Sequence, residues 1–190
     1  MTDEETRAVT AARQGDPDAW DRLFHRHQRP LHAFVAEMLR DRTTALDVVQ
    51  ETFIAAAKHI GGLREDRKFA SWLFGIARQK CAQHWRRQKP AADPLDELDE
   101  AEINDDQDPV ANALRIEDEA VFLDALGRLP TPQREVLVLH FLDEFPLEEI
   151  ATITDSPLGT VKSRIHYARK ALKQLLQHED SPRTPAGTPR

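Results

Sequence analysis

An acidic stretch in the middle of the chain constrains the fold more than any other feature. Residues 91–120 carry twelve Asp or Glu side chains against a single basic one, Arg115, which gives a local charge of −11. Within it, the prolines and the shortage of large apolar groups leave too little surface to bury against the entropy of ordering. We therefore expect two small domains, 1–89 and 111–178, joined by an acidic flexible linker at 90–110 and followed by a disordered tail at 179–190.

Two basic segments are not apparent from the net charge of the chain, because the acidic stretch outweighs them. The whole chain of 190 residues has a net charge of −7, so the part outside 91–120 stands at +4. Residues 64–89 hold eight Lys or Arg against two acids, and residues 156–178 hold five with no acid. Clustered cations of this kind are the electrostatic signature of a nucleic-acid partner. Each half of the chain thus contains a candidate surface for nucleic acid.

The composition excludes several classes of protein. One cysteine cannot form an internal disulfide, no apolar run is long enough to span a bilayer, and the N-terminus does not resemble a signal peptide. We expect a cytoplasmic protein with no membrane insertion of its own.

Neither a cofactor nor a catalytic site is indicated. The sequence has no phosphate loop, nucleophile elbow, zinc-protease helix or dinucleotide fingerprint, so we expect no cofactor, no catalytic residues and no enzymatic activity. His25, His27 and His32 have no Cys or carboxylate at a supporting ligand spacing, and they are predicted to be surface or packing residues rather than metal ligands. Cys81 is interpreted as a buried free thiol.

Helical periodicity runs through both halves, and no stretch of clear two-residue alternation appears. The sequence therefore predicts an all-α fold. In the N-terminal half we expect a helix capped by Asp16 and opened by Pro17, with a kink or break at Pro30. Two further helices are predicted from about Thr44 to the Gly61–Gly62 pair and from about Lys68 to Gln88.

The helix predicted from about Thr44 to the Gly61–Gly62 pair is amphipathic. Leu46, Val49 and Phe53 are predicted to face the core. Asp47, Gln50 and Glu51 then fall on the other side of the helix, where a partner has access to them.

The C-terminal half reads as a helix-turn-helix. Thr131 and Pro132 are predicted to cap and open one helix, and Pro146 to open a short one. Ser156 and Pro157 are predicted to cap and open a longer helix, whose basic face lacks acids. In such a unit the second helix enters the major groove, with Lys162 and Arg164 near phosphates or guanines and Ser163, His166 and Tyr167 as base readers. From periodicity alone, a helical hairpin with a solvated cationic face is the alternative.

Several motifs resemble those of bacterial RNA polymerase sigma factors, in particular the extracytoplasmic-function (ECF) group. Segments 149–151 and 159–172 resemble the family's −35-binding helix-turn-helix, and 129–136 is similar to the segment that precedes it. Segment 47–53 resembles the family's core-polymerase-binding helix, and 69–78 resembles the start of its −10-binding helix.

The resemblance implies a function for each surface. The protein would bind core RNA polymerase, direct promoter-specific initiation and be regulated by an anti-sigma factor. The polymerase-binding residues would be Asp47, Gln50 and Glu51. Contacts to the −35 duplex would come from Thr160, Lys162, Ser163, Arg164, His166, Tyr167, Arg169 and Lys170. Contacts to the −10 single strand would come from Arg64, Arg67, Lys68, Arg78, Lys80, Trp85, Arg86 and Arg87.

Two alternatives to this function remain at the level of the sequence. One is a helix-turn-helix regulator that acts without polymerase, against which the face of Asp47, Gln50 and Glu51 argues. The other is a sigma mimic that titrates an anti-sigma protein. Such a mimic has no need of the recognition-helix cations that this chain retains. The acidic linker is open to two interpretations, a strand entering the polymerase cleft as a nucleic-acid mimic or a solubilising spacer.

Overall fold

A computed structural model describes residues 2–88 and 119–179, and over those ranges the protein is all-α. All of the predicted linker, 90–110, and nearly all of the predicted tail lie outside them. The N-terminal domain consists of α1 (Asp3–Arg13), α2 (Pro17–Leu39), α3 (Arg42–His59) and α4 (Phe69–Gln88), with short 3₁₀ turns at Ile60–Gly62 and Asp66–Lys68. The C-terminal domain consists of α5 (Glu119–Gly127), α6 (Thr131–Leu137), a π-helical turn (Val138–Leu142), α7 (Leu147–Thr154) and α8 (Leu158–Glu179).

The core of the N-terminal domain lies between α2, α3 and α4. Phe34, Phe69 and Phe74 are among its largest fully buried side chains. The predicted N-cap of α2 is confirmed, because the Asp16 carboxylate accepts hydrogen bonds from the backbone N–H groups of Asp18 and Ala19. Helix α1, which sequence reasoning did not predict, packs on α2 through buried Ala8, Val9 and Ala12.

Of the kink or break predicted at Pro30, the break does not occur. The helix is continuous from Pro17 to Leu39. Proline removes one intrahelical hydrogen bond, and buried side chains on both sides of it, Leu23 and His27 before and Leu31 and Phe34 after, hold the two halves of the helix against one core.

Two predicted caps in the C-terminal domain were wrong. Pro130 occupies the N-cap of α6, and Thr131 is the first helical residue. At α8 the carbonyl of Pro157 accepts the hydrogen bond from the N–H of Val161, while the Ser156 hydroxyl donates to the carbonyl of Thr154. Both helices thus begin immediately after a proline.

The two domains pack against each other. Helix α4 lies against α7, and α2 contacts α6 and the π-helical turn. At the centre of this interface, Phe74 of α4 meets Phe145, which precedes α7, edge to face with ring centroids 4.9 Å apart. Both rings are buried, so the interface has an apolar centre.

Candidate nucleic-acid and polymerase interfaces

Helix α3 presents a solvent-exposed face of mixed character, as the sequence predicted for Asp47, Gln50 and Glu51. Leu46 was expected in the core, but its residue surface is 61% exposed. Ala45 and Val48 are buried in its place, because the buried side of the helix is rotated towards them. Ile54, which sequence reasoning missed, is 50% exposed on the same face, four residues after Gln50. We call these five residues (46, 47, 50, 51 and 54) the α3 face.

The α3 face is linked to the next candidate surface by an ion pair. The Lys80 ammonium on α4 lies 3.2 Å from the Glu51 carboxylate. One residue predicted for polymerase and one predicted for DNA therefore contact each other. Exposed pairs of this kind contribute little to stability, and either partner can exchange to another ligand.

The loop between α3 and α4 presents cations from a fixed backbone. Asp66 accepts from the Thr10 hydroxyl at 2.6 Å and pairs with Arg13 of α1, and Arg13 also donates to the carbonyl of Leu63 at 2.8 Å. These contacts tie the loop to α1. Arg64 and Arg67 are exposed beside them, as is Lys68, which pairs with Glu65 at 2.9 Å.

Helix α4 has one core face and one face along a cleft. Phe69, Leu73, Ala77 and Cys81 are fully buried. The opposite side borders a cleft of about 980 Å³ between α3, α4 and α7, whose lining includes Trp72, Gln79, Lys80, Gln83, Arg86 and Asp155. Trp85 is half-buried and packs partly on the core, while Arg86 and Arg87 are exposed.

The predicted DNA-binding residues of helix α8 fall into three groups by their exposure to solvent. Lys162, His166 and Lys170 are exposed at four-residue steps and form one stripe, which we call the α8 stripe. Ser163 is buried, and its hydroxyl donates to the carbonyl of Thr160, so the structure does not present it to a base. The half-buried group consists of Thr160, Arg164, Tyr167 and Arg169, the last with its guanidinium 4.9 Å from the ring centroid of Phe141.

One of the predicted DNA-binding arginines, Arg78, pairs with a buried carboxylate at the domain interface, and a second, Arg164, feels the charge of that carboxylate. Glu135 of α6 accepts from Arg78 Nε of α4 at 2.9 Å, and the Glu135 side chain is 7% exposed. Burial raises the pKa of Glu135, and Arg78 opposes that shift more strongly than Arg164 and Arg134 do. Burial lowers the pKa of Arg164, and the negative charge of Glu135 works against it. The Arg164 guanidinium also donates to Ser156 Oγ at 3.0 Å.

His25, His27 and Cys81 have neighbours that explain them as structural residues. His27 is buried and lies 2.8 Å from the Glu5 carboxylate, which also pairs with Arg26. His25 lies beside Asp21 and Gln28. Within the parts of the chain that the structure covers, no group of three His, Cys, Asp or Glu residues is arranged to hold a metal ion. Cys81 is buried among apolar residues, which raises the pKa of its thiol to about 12.

The helices over the same ranges include none that is long and apolar enough to cross a membrane.

Known proteins match both domains. Residues 23–91 match the Sigma-70 region 2 family and residues 120–172 match the Sigma-70, region 4 family. The chain is 32% identical over 185 residues to the RNA polymerase sigma-H factor of Pseudomonas aeruginosa, a match covering 92% of this chain and 95% of that protein. It is 31% identical over 184 residues to the ECF RNA polymerase sigma factor SigW of Bacillus subtilis, covering 90% and 96% respectively.

Solved structures share the arrangement of the helices. CnrH, in complex with the cytosolic domain of CnrY, matches with a TM-score of 0.70 and 26% identity, over 94% of this chain and 100% of that one. The sigma factor RpoE from Bartonella quintana, in complex with the anti-sigma factor NepR, shares the fold with a TM-score of 0.65 and 24% identity over 83% and 96%. The two family matches in order along one chain, together with this level of identity over nearly the full length of the relatives, show that the protein belongs to the RNA polymerase sigma factors of the ECF group.

Proposed function

We propose that this chain binds core RNA polymerase through the α3 face and brings it to promoters through two DNA-binding surfaces, one in each domain. The observation that carries the proposal is the presence, on one sigma-family chain, of an exposed apolar and acidic face on α3 and an exposed basic stripe on a helix-turn-helix. A regulator acting without polymerase needs only the second of these.

The α8 stripe is the proposed reader of the −35 duplex. Lys162 and Lys170 neutralise phosphates or donate to guanine acceptors, and His166 lies between them facing the same groove. Thr160, Tyr167 and Arg169 lie on the same helix and are half-buried. They contact the edges of the site. Ser163 supports the helix from its buried side. Arg164 becomes available to DNA only when it leaves the Ser156 hydroxyl and the charge of Glu135.

The −10 strand is the proposed ligand of the loop and the exposed side of α4. Five of the predicted cations are exposed there: Arg64, Arg67, Lys68, Arg86 and Arg87. Unpaired bases present flat faces to aromatic side chains and phosphates to Lys and Arg. Trp85 is the aromatic side chain next to two of these cations, and Arg78 and Lys80 join the site when they exchange Glu135 and Glu51 for phosphate.

The α3 face is the proposed polymerase contact. Its acids, Asp47 and Glu51, supply charge, while Leu46 and Ile54 supply apolar surface that nothing in the described chain covers. An interface that combines a small apolar centre with a polar rim is typical of protein–protein contacts. The proposal assigns phosphodiester chemistry to the polymerase and none to this chain, and it places the protein in the cytoplasm with that enzyme. CnrH was solved with the cytosolic domain of CnrY and RpoE with the anti-sigma factor NepR, so we include an anti-sigma factor among the partners.

Reconstituted transcription tests this function. The purified protein is added to sigma-free core polymerase with genomic fragments, and the 5′ ends of the transcripts are mapped. We expect defined start sites with the wild type, loss of them with Asp47→Lys, and their retention with Asp21→Lys. Asp21 is a matched control because, like Asp47, it is an exposed acid in the second turn of a long helix. Absence of starts from folded wild-type protein would refute the proposal, and tight binding of an operator by the protein alone would favour a DNA-only regulator.

A further inference from the structure

We infer that helix α1 positions the −10 site. Thr10 and Arg13 of α1 hold the loop of residues 60–68, which we call the −10 loop, in one shape, and that shape sets how strictly the −10 strand is read. Both are positioning residues that act through the loop rather than by touching DNA. The inference deepens the proposed function and rests on it in one respect, since it takes the −10 loop as part of the −10 site.

Helix α1 has a contact surface that the proposed function does not use. The helix lies outside residues 23–91, the part of the chain that matches the Sigma-70 region 2 family. Its small apolar side chains bury one face against α2. Thr10 and Arg13 are three residues apart, so they lie on a common side of the helix, and both contact the −10 loop. Packing on α2 accounts for the apolar face but not for these two polar side chains.

The contacts converge on two points of the loop. The Arg13 guanidinium donates through one nitrogen, Nη2, to the carbonyl of Leu63 at 2.8 Å and to the carboxylate of Asp66. The Thr10 hydroxyl donates to the other carboxylate oxygen of Asp66 at 2.6 Å. Arg64, a predicted −10 contact, lies between the two attachment points, so its backbone is held from both sides.

These ties join two turns that have no other covalent spacer than one residue. The 3₁₀ turns at Ile60–Gly62 and Asp66–Lys68 are each closed by a backbone hydrogen bond, of 3.1 and 2.9 Å respectively. Leu63 ends the first turn, and Arg64 separates it from the residue that caps the second. Because Arg13 contacts both turns, it fixes their relative orientation and with it the direction of the cations that they carry.

Helix α1 can hold the loop because it is itself fixed to α2. The buried carboxylate of Glu5 accepts from Arg26 Nε at 3.0 Å and lies 2.8 Å from His27 Nε2. At the other end of α1, Trp20 Nε1 donates to the carbonyl of Ala12 at 3.2 Å. The loop is thus attached, through α1, to the core of the N-terminal domain.

A fixed loop favours selectivity for physical reasons. Ordering a loop at the moment of binding opposes affinity, and a loop that can rearrange accepts the wrong base by repacking around it. The Arg13–Asp66 pair is partly exposed, so it contributes little to the stability of the fold. Loss of this pair should therefore change how the −10 strand is read much more than it changes folding.

Four variants separate positioning from charge. Arg13→Ala removes both ties of the guanidinium. Thr10→Val removes the hydroxyl but keeps the shape and the charge of the side chain, and Thr10→Ser restores the hydroxyl. Arg7→Ala is the matched control for loss of a positive charge, because Arg7 is another exposed arginine of α1.

The first measurement follows the loop in the free full-length protein by hydrogen exchange of its backbone amides. We expect the amides of Leu63 and Lys68 to exchange at least fivefold faster in Arg13→Ala and in Thr10→Val, because the turns that protect them open more often. Thr10→Ser and Arg7→Ala should stay within twofold of the wild type. The midpoint of urea unfolding should be unchanged in all four variants.

The second measurement gives the selectivity of the holoenzyme on a promoter from the transcription assay. Each −10 base is replaced in turn, and the rate of initiation is compared with that on the unaltered promoter. We expect this ratio to fall about tenfold in Arg13→Ala and at least threefold in Thr10→Val, because binding scales with the fraction of loop in the competent shape. Thr10→Ser and Arg7→Ala should stay within twofold, and selectivity at the −35 element should not change.

The salt dependence of promoter binding distinguishes positioning from direct contact. We expect Arg13→Ala to keep the wild-type slope of log affinity against log salt, whereas loss of a phosphate ligand lowers that slope by about 1. A lowered slope would overturn the inference, and so would loop exchange or −10 selectivity within twofold of the wild type in both Arg13→Ala and Thr10→Val. Absence of defined starts from the wild type would instead refute the proposed function, and the exchange measurement, which needs no polymerase, keeps the two failures apart.

Discussion

The exposed apolar residues of the α3 face permit a quantitative prediction. Leu46 and Ile54 are 61% and 50% exposed, so truncating them to alanine removes little that the fold uses. Fully burying such a side chain contributes ~1.5–3 kcal/mol. Covering the remaining half of each therefore contributes about 1 to 1.5 kcal/mol to binding a partner. The double variant Leu46→Ala/Ile54→Ala should lose about 2 to 3 kcal/mol, or roughly 30- to 150-fold in affinity for core polymerase.

Binding and stability must be measured on the same variants. We expect the dissociation constant for core polymerase to rise as calculated, while the free energy of unfolding in urea stays within about 0.5 kcal/mol of the wild type, since alanine is a good helix former. Leu23→Ala provides the contrast, because that side chain is 1% exposed and its truncation should cost about 2 to 5 kcal/mol of stability. An unchanged polymerase affinity in the double variant would refute the assignment of the α3 face.

Burial raises the pKa of Asp143 from 3.8 to about 7, so the folded protein holds a proton that the unfolded chain has released, and its stability falls as pH rises from about 4 to 7. At pH 8, Asp143→Asn should therefore have a higher free energy of unfolding than the wild type, by at most ~4 kcal/mol, as measured by urea titration. The difference should close towards pH 4. Asp16→Ala removes the α2 cap and should cost about 1 kcal/mol in the same titration. Lys162→Ala should reduce the slope of log affinity against log salt by about 1 for promoter binding by the holoenzyme.

Local signals predicted most of the helices. Asp16–Pro17 marked the start of α2, and the glycine pair marked the end of α3. The errors arose where tertiary contacts decided the outcome. Packing on both sides of Pro30 kept α2 intact, and a rotation of α3 about its axis exposed Leu46. Propensity and period leave both of these undetermined.

The candidate sites were predictable as segments but less so as side chains. Acid-free basic periodicity located the α8 stripe, yet it did not distinguish exposed Lys162 from buried Ser163, because a residue beside the stripe is assigned to one face or the other by the neighbouring helices. The pairing of Arg78 with Glu135 joins residues 57 positions apart across the acidic segment. No local pattern encodes a contact of that kind, and it depends on how the domains dock.

A hydroxyl-radical footprint of the holoenzyme, on a promoter from the transcription assay, shows whether one protein positions polymerase through two separate DNA contacts. We expect two protected patches about 25 base pairs apart. Lys162→Ala/Lys170→Ala should lose only the upstream patch, and Arg86→Ala/Arg87→Ala should weaken only the downstream one. A single patch, or loss of both from either pair of substitutions, would contradict a function through two separate DNA contacts.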